Sequence, residues 1–195
     1  MVVGIVGDGP AVTALEHAFS SANLQSELVS IDELQEYEMG IVVGVVGSPG
    51  FERANSVLFE TNTPWCAIEI GGIGGCGIES ISATISLFGP HHGCYECLQT
   101  RLESTDTTNT EVSQSPRTDI YYAGATAARL TIQFFNESVE PGTIIEIPYA
   151  EHTLYPVPCC NVCDNNKQQT LQIQHTDRSL DESIQLAERG VDDKV

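Results

Sequence analysis

The chain has 195 residues, of which 41% are apolar, and its 27 acidic and 8 basic side chains give a formal net charge of −19. This length and apolar share fit one globular domain with a tail, large enough to bury a core without disulfide support. A surface so acidic repels phosphate backbones and anionic membranes, so neither nucleic acid nor a membrane is an expected partner.

Lysine is almost absent, with only Lys167 and Lys194 in the chain. Such acidity with so little lysine resembles the cytosolic proteins of salt-loving microbes, whose carboxylates keep the surface hydrated. The plainer alternative is an ordinary acidic protein. The N-terminal MVVGIVGDGP carries no charged region before its apolar run, and glycines interrupt that run, so no secretory signal is read there. No apolar run reaches about 18 residues, the length that marks a membrane span. A cytoplasmic location follows as an expectation, and there the seven cysteines are thiols suited to metal binding or redox chemistry.

In chain order, Val2–Val6 reads as a buried parallel strand ending at Gly7. Asp8-Gly9-Pro10 turns into a helix whose apolar stripe is Ala11, Leu15, Ala18 and Phe19. Glu27–Ser30 is the next expected strand, and Asp32 is placed to cap a short helix through Tyr37. Ile41–Val46 is the strongest strand signal; Ser48-Pro49 then opens a helix through Glu60, and Trp65–Ile70 is a fourth strand. Strands and helices alternating at this spacing predict a mostly parallel, Rossmann-like sheet covered by helices.

The pattern then changes. Residues Gly71 to Gly77 form a glycine-rich loop, and Ile78–Phe88 alternates apolar with Ser and Thr, which predicts an antiparallel strand with one solvated face. Tyr95–Glu103 reads as a helix, and 104–118 as a polar loop. Asp119 is placed to cap a long apolar helix, Ile120–Asn136, which serves either core or an interface. Thr143–Pro148 and His152–Val157 are expected as a strand pair. The segment 166–195 reads as a linker or tail after a domain over 1–165, with one weak helical pattern at Leu180–Arg189.

Two C-x-x-C hooks carry the clearest chemistry: Cys94-Tyr95-Glu96-Cys97 and Cys160-Asn161-Val162-Cys163. Each hook turns two thiolates toward one ion, and two hooks complete a tetrahedron, so Cys94, Cys97, Cys160 and Cys163 are expected to hold a structural zinc. A thioredoxin-like redox pair would place C-x-x-C at a helix start after the first strand, and that context is absent. Cys159 adjoins Cys160 but forms no C-x-x-C with Cys163; His91 and His92 are expected as exposed loop residues rather than ligands. Cys66 falls in a buried strand, and Cys76, in the glycine loop, is a candidate nucleophile with no recognisable basic partner.

The turn after the first strand sits where a nucleotide fingerprint would sit, with Gly7 and Gly9 present and Val12 in place of a third glycine. Asp8 opposes phosphate there, and Pro10 removes one N–H from the cradle. Asp32 occupies the usual ribose-binding place. Gly7, Gly9 and Asp32 are therefore the cofactor-side candidates, and a purely structural turn is the competing reading.

Pro64-Trp65, Glu69 through Gly75, Gly89-Pro90, Cys94 through Arg101, and Pro158-Cys159-Cys160-Asn161-Val162-Cys163 together give a resemblance. The chain resembles the ThiF/MoeB/HesA superfamily of adenylating, ubiquitin-activating-like enzymes. Within it, the chain is most similar to the ThiF-like domain associated with YcaO cyclodehydratases of azole and thioamide peptide biosynthesis. The resemblance implies a partner YcaO domain or protein and a precursor peptide, and a homodimer is common among such proteins. Adenylating members hold ATP with lysine and arginine side chains, and this sequence lacks that lysine and most of those arginines. It is thus similar to members that dock and present rather than adenylate, so ATP is not expected here. Ser183 through Val195 looks like the opening of a YcaO domain. The expected whole is an α/β fold, a Rossmann-like sheet with an antiparallel addition and a four-cysteine zinc site, not catalytic by itself. The alternative is an ATP-dependent enzyme that adenylates a carrier-protein or peptide C-terminus.

Overall fold

The computed structural model describes residues 1–104, 114–148, 150–158 and 160–163. Cys159, the middle of the 104–118 loop and the tail with its expected helix Leu180–Arg189 lie outside the described residues. No helix among the described residues is long and apolar enough to cross a membrane.

The elements run β1 (Val2–Val6), α1 (Pro10–Ser21), β2 (Gln25–Leu28), a 3₁₀ turn at Ile31–Glu36, β3 (Met39–Val45), α2 (Pro49–Glu60) and β4 (Trp65–Ile70). They continue with a small ribbon, β5 (Gly72–Ile73) and β6 (Cys76–Gly77), then β7 (Ala83–Phe88), α3 (Tyr95–Ser104), α4 (Arg117–Phe135), β8 (Thr143–Ile147) and β9 (Ala150–Thr153). The main sheet has the order β2-β1-β3-β4-β7-β8-β9. The first four strands pair in parallel, and every pairing from β4 onward is antiparallel. The α/β expectation holds, with the change from parallel to antiparallel falling at β4.

Two apolar layers cover the sheet. On one face α1 and α4 pack Leu15, Phe19, Ala123 and Ala127 against Ile5, Ile41, Ile68 and Ile85. On the other, α2 and α3 pack Phe51, Leu58, Tyr95 and Leu98 against Val42, Trp65, Ala67 and Phe88. Period-two alternation along β4 sends Cys66 and Ile68 to the first layer and Trp65 and Ala67 to the second. Cys66 is fully buried, and burial alone pushes its thiol pKa far up, so it is inert core.

Five expectations need correction. Strand β2 starts and ends two residues earlier than 27–30, because Ser30 is drawn into the next turn: its N–H and hydroxyl both donate to the Glu33 carboxylate, at 2.8 and 2.7 Å. Ser30 with Glu33, not Asp32, therefore caps that turn. Strand β7 has no solvated face, since Thr84 is 0% and Ser86 1% exposed beneath the second layer. Helix α4 begins after Pro116, and Asp119 sits inside its first turn, accepting the Ser82 hydroxyl at 2.7 Å instead of capping. Strand β9 spans Ala150–Thr153 rather than 152–157, because a tight turn at Pro148 sets the pairing Glu146 with Ala150 and Thr143 with Thr153.

Candidate metal centre

The first hook is built by the start of α3. Cys94 lies just before the helix and its carbonyl accepts the Leu98 N–H at 3.2 Å, so Cys94 and Cys97 sit one turn apart on the same side. The second hook follows a turn in which the Cys160 N–H donates to the Val157 carbonyl at 3.3 Å. The chain between β9 and this turn is held down by Arg101 of α3, whose guanidinium donates to the carbonyls of Tyr155 and Pro156 at 3.0 and 3.4 Å.

All four thiols are buried, and their sulfur atoms lie within 4.8 Å of one another. Cys94 Sγ is 3.8 Å from Cys97 Sγ and 3.5 Å from Cys160 Sγ, and Cys97 Sγ is 3.5 Å from Cys163 Sγ. Tetrahedral thiolate coordination with metal–sulfur bonds of about 2.3 Å has sulfur–sulfur edges of about 3.8 Å. The donor set therefore fits one metal ion with four ligands and no open position. The four sulfurs share their protons unevenly: hydrogen bonds from Cys163 and Cys94, with the Val157 N–H 3.3 Å from the sulfur, hold Cys97 well below the usual thiol range, while hydrogen bonding to Cys94 and Cys97 pushes Cys163 up. Four thiolates at this separation need a cation to neutralise them. Among the described residues no other group of three or more metal-capable side chains comes together. His91 and His92 stand apart from the centre, the His92 Nδ1 lying 2.9 Å from the Pro90 carbonyl.

Glu96, between the ligands of the first hook, grips the second. Its carboxylate accepts the Asn161 side-chain amide at 2.9 Å and the Val162 N–H at 3.1 Å. Tyr95, its neighbour, reaches the opposite way. Its N–H donates to Asn55 Oδ1 on α2 at 3.0 Å, its ring stacks on Phe51 at 5.7 Å, and its hydroxyl donates to Glu69 Oε1 at 2.8 Å. Glu69 is fully buried, and its carboxylate also accepts the N–H groups of Gly74 and Gly75 at 2.6 and 2.9 Å. The metal centre is thereby connected through Tyr95 and Glu69 to the glycine ribbon after β4. Burial raises the Glu69 pKa, and its three donors offset only part of that rise. Burial and the Glu69 charge push the Tyr95 hydroxyl up, so it stays a donor.

The sequence reading named Glu69, Glu96 and Arg101 only as part of the resemblance and gave them no role, and it did not single out Asn55. The signal for Glu69 was present: one carboxylate interrupts the apolar run of β4. The partners of the other three come from distant parts of the chain. Cys76, on β6, has its thiol pKa raised by burial, then by the charges of Glu69 and Glu103, which is the opposite of an activated nucleophile.

The topology carries the candidate cofactor residues to one end of the sheet. Gly7 and Gly9 follow β1, and Asp32 follows β2, its parallel neighbour. Both glycines have positive φ, 127° and 86°. A Cβ on Gly7 would lie 2.5 Å from the Val43 carbonyl oxygen, whereas at Gly9 it would meet open space. The Asp32 carboxylate is bound at two points by Arg53.

Neither a protein-family model nor a curated protein matches the sequence. The fold does match solved structures. Escherichia coli MccB matches with a TM-score of 0.60 at 14% identity, over 85% of this chain and 65% of the MccB chain. MccB with ATP matches with a TM-score of 0.56 at 15% identity, over 84% of this chain and 67% of that one. A heterocyclase in complex with substrate and cofactor matches with a TM-score of 0.56 at 14% identity, over 83% of this chain and 25% of that chain. The chain thus has their fold while spanning about two thirds of MccB and a quarter of the heterocyclase.

Proposed function

We propose that this chain is a zinc-binding, non-adenylating ThiF-like scaffold that supports a YcaO-type enzyme in peptide backbone heterocyclisation or thioamidation. The observation that carries the reading is the closed four-thiol centre: every donor is buried and all four vertices are protein, so an ion there staples the fold and offers no position to a substrate. Four thiolates in a tetrahedron suit zinc among the common divalent ions. The glycine turn points the same way. Asp8 stands in it, and Arg53, the basic residue nearest to it in sequence, is committed to Asp32. The fold likeness to a heterocyclase supports a role beside heterocycle formation. Under this reading a precursor peptide and a YcaO domain or protein are the partners, 1–165 is the scaffold domain, and 166–195 is a linker or tail.

The second reading is ATP-dependent adenylation of a carrier-protein or peptide C-terminus. It is favoured by the likeness to MccB, which has been solved with ATP, and by Gly7 and Gly9 lying at the carboxyl end of β1. ATP–pyrophosphate exchange with candidate acceptor peptides separates the two. The scaffold reading expects no exchange by the zinc-loaded chain and a gain in a YcaO enzyme's turnover when the chain is added; acceptor-dependent exchange overturns it.

A further inference from the structure

Helix α4 carries a surface unlike the rest of the molecule. From Ile120 to Asn136 there is no acidic residue, although the chain has 27 in 195. The other helices carry exposed carboxylates, Glu16 on α1, Glu52 and Glu60 on α2 and Glu103 on α3. Asp119, in the first turn of α4, is turned inward to the Ser82 hydroxyl.

The outward side of α4 presents Arg117, Tyr121, Tyr122, Ala125 and Arg129. These positions recur at the helical spacing that places them on one face. Tyr121 is 37% and Tyr122 52% exposed, large areas for aromatic rings on an otherwise acidic surface. The Arg117 guanidinium lies 5.7 Å from the centre of the Tyr121 ring and donates to the Tyr121 hydroxyl at 3.5 Å. Arg129 pairs with no described residue. The other two described arginines are spent: Arg53 holds Asp32, and Arg101 holds the carbonyls before the second hook. The platform is also rigid. Ala123, Gly124, Ala127 and Ala128 are buried against α1 and the sheet, with the Gly124 backbone in close contact with Ala11.

We infer that this face of α4 docks an acidic segment of a partner polypeptide, with aromatic or aliphatic side chains of that segment seated on Tyr121 and Tyr122 and its carboxylates paired with Arg117 and Arg129. Charge complementarity selects this occupant. In a molecule with a net charge of −19, a face that presents no outward carboxylate and keeps two arginines paired with no described carboxylate is complementary to acid, and arginine with tyrosine is the composition that anchors interfaces. The inference stands on this surface alone and holds under the scaffold and the adenylating readings alike.

The test is fluorescence anisotropy with the zinc-loaded full chain and a labelled peptide of repeating Glu-Leu units, against its Ser-Leu counterpart, at physiological ionic strength. The expected result is saturable binding of the Glu-Leu peptide. Charge reversal in the double variant Arg117→Glu/Arg129→Glu should weaken it by about tenfold or more. Tyr122→Ala should weaken it with metal content and melting temperature unchanged, and Arg117→Lys/Arg129→Lys should retain most of it. Equal binding of both peptides, or binding indifferent to charge reversal, overturns the inference. Sedimentation velocity runs alongside: a dimer dispersed by the same charge reversal also overturns it, assigning the face to a second copy of this chain.

Discussion

Cys97 and Glu69 show how single residues tie the metal centre to the fold. Cys97 is fully buried and receives bonds from two other thiols and the Val157 N–H. Cys97→Ser should lose the metal, from about one ion per chain by the four-ligand count, and with it much of a binding free energy that reaches about 10–16 kcal/mol in small zinc domains. Elemental analysis and thermal melting check this together, and retained metal with an unchanged melting temperature refutes the staple. Glu69 is tested through Tyr95. Tyr95→Phe keeps the ring packing and removes one donor from a buried carboxylate, at an expected cost of about 1–3 kcal/mol in urea unfolding. The pH dependence has a definite sign. Burial raises the Glu69 pKa in the folded state above its ordinary value of 4.5. The folded chain therefore binds that proton more tightly than the unfolded chain, so the contribution is fully present below the ordinary value and is lost as pH rises through the folded one. Glu69→Gln removes the titration, so the stability of the unsubstituted protein relative to the variant should decline as pH rises above that value. A difference that stays flat or grows would contradict the assignment.

At the scale of elements, the packing of α1 on α4 is a tight demand. A Cβ at Gly124 would lie 2.2 Å from the Ala11 carbonyl oxygen, a backbone atom that no rotamer change can move. Gly124→Ala gains about 1 kcal/mol in helix propensity. Forcing the helices apart costs about 1–3 kcal/mol and more for backbone contacts, so the clash decides the sign. The variant should melt several degrees lower, a shift of about 2–4 °C per kcal/mol for a protein of this size. An unchanged or raised melting temperature would mean that α4 can slide on α1. The glycine ribbon is the second such element. Gly72 and Gly77 bring β5 and β6 together so closely that a Cβ on Gly72 would lie 2.1 Å from the Cys76 carbonyl oxygen. This closeness lets the Gly74 and Gly75 N–H groups converge on Glu69.

The whole molecule is dominated by charge of one sign. Among the described residues Arg53 with Asp32 is the one arginine–carboxylate ion pair, so most of the acidic surface is uncompensated. Self-repulsion between exposed carboxylates is screened as the Debye length falls from about 10 Å at 0.1 M salt to about 3 Å at 1 M. The melting temperature should therefore rise steadily as KCl increases over that range, as expected for a protein adapted to high salt. A melting temperature that is flat or falls with salt would place this chain among ordinary acidic proteins.

What was legible from the sequence alone was local or periodic. The four parallel strands, the helices between them and the two cysteine hooks could all be read, because apolar period and C-x-x-C spacing depend on neighbours a few residues apart. The resemblance drawn from the hook segments led to the fold that MccB and the heterocyclase share. The rest was decided by tertiary contacts. Ser and Thr along β7 look solvated in sequence and are buried because α2, α3 and the ribbon cover that face. Asp32 and Asp119 look like helix caps, and are instead claimed by Arg53 and Ser82 from far along the chain. Nothing in the sequence around Glu69 names its three donors, which come from the ribbon and from the middle of the first hook. The sequence by itself determined which residues would seek a metal. Only the folded chain decided that the same hook would also hold, through Tyr95 and Glu69, the loop at the sheet's switch from parallel to antiparallel, because a buried carboxylate is satisfied only where packing brings enough donors to it.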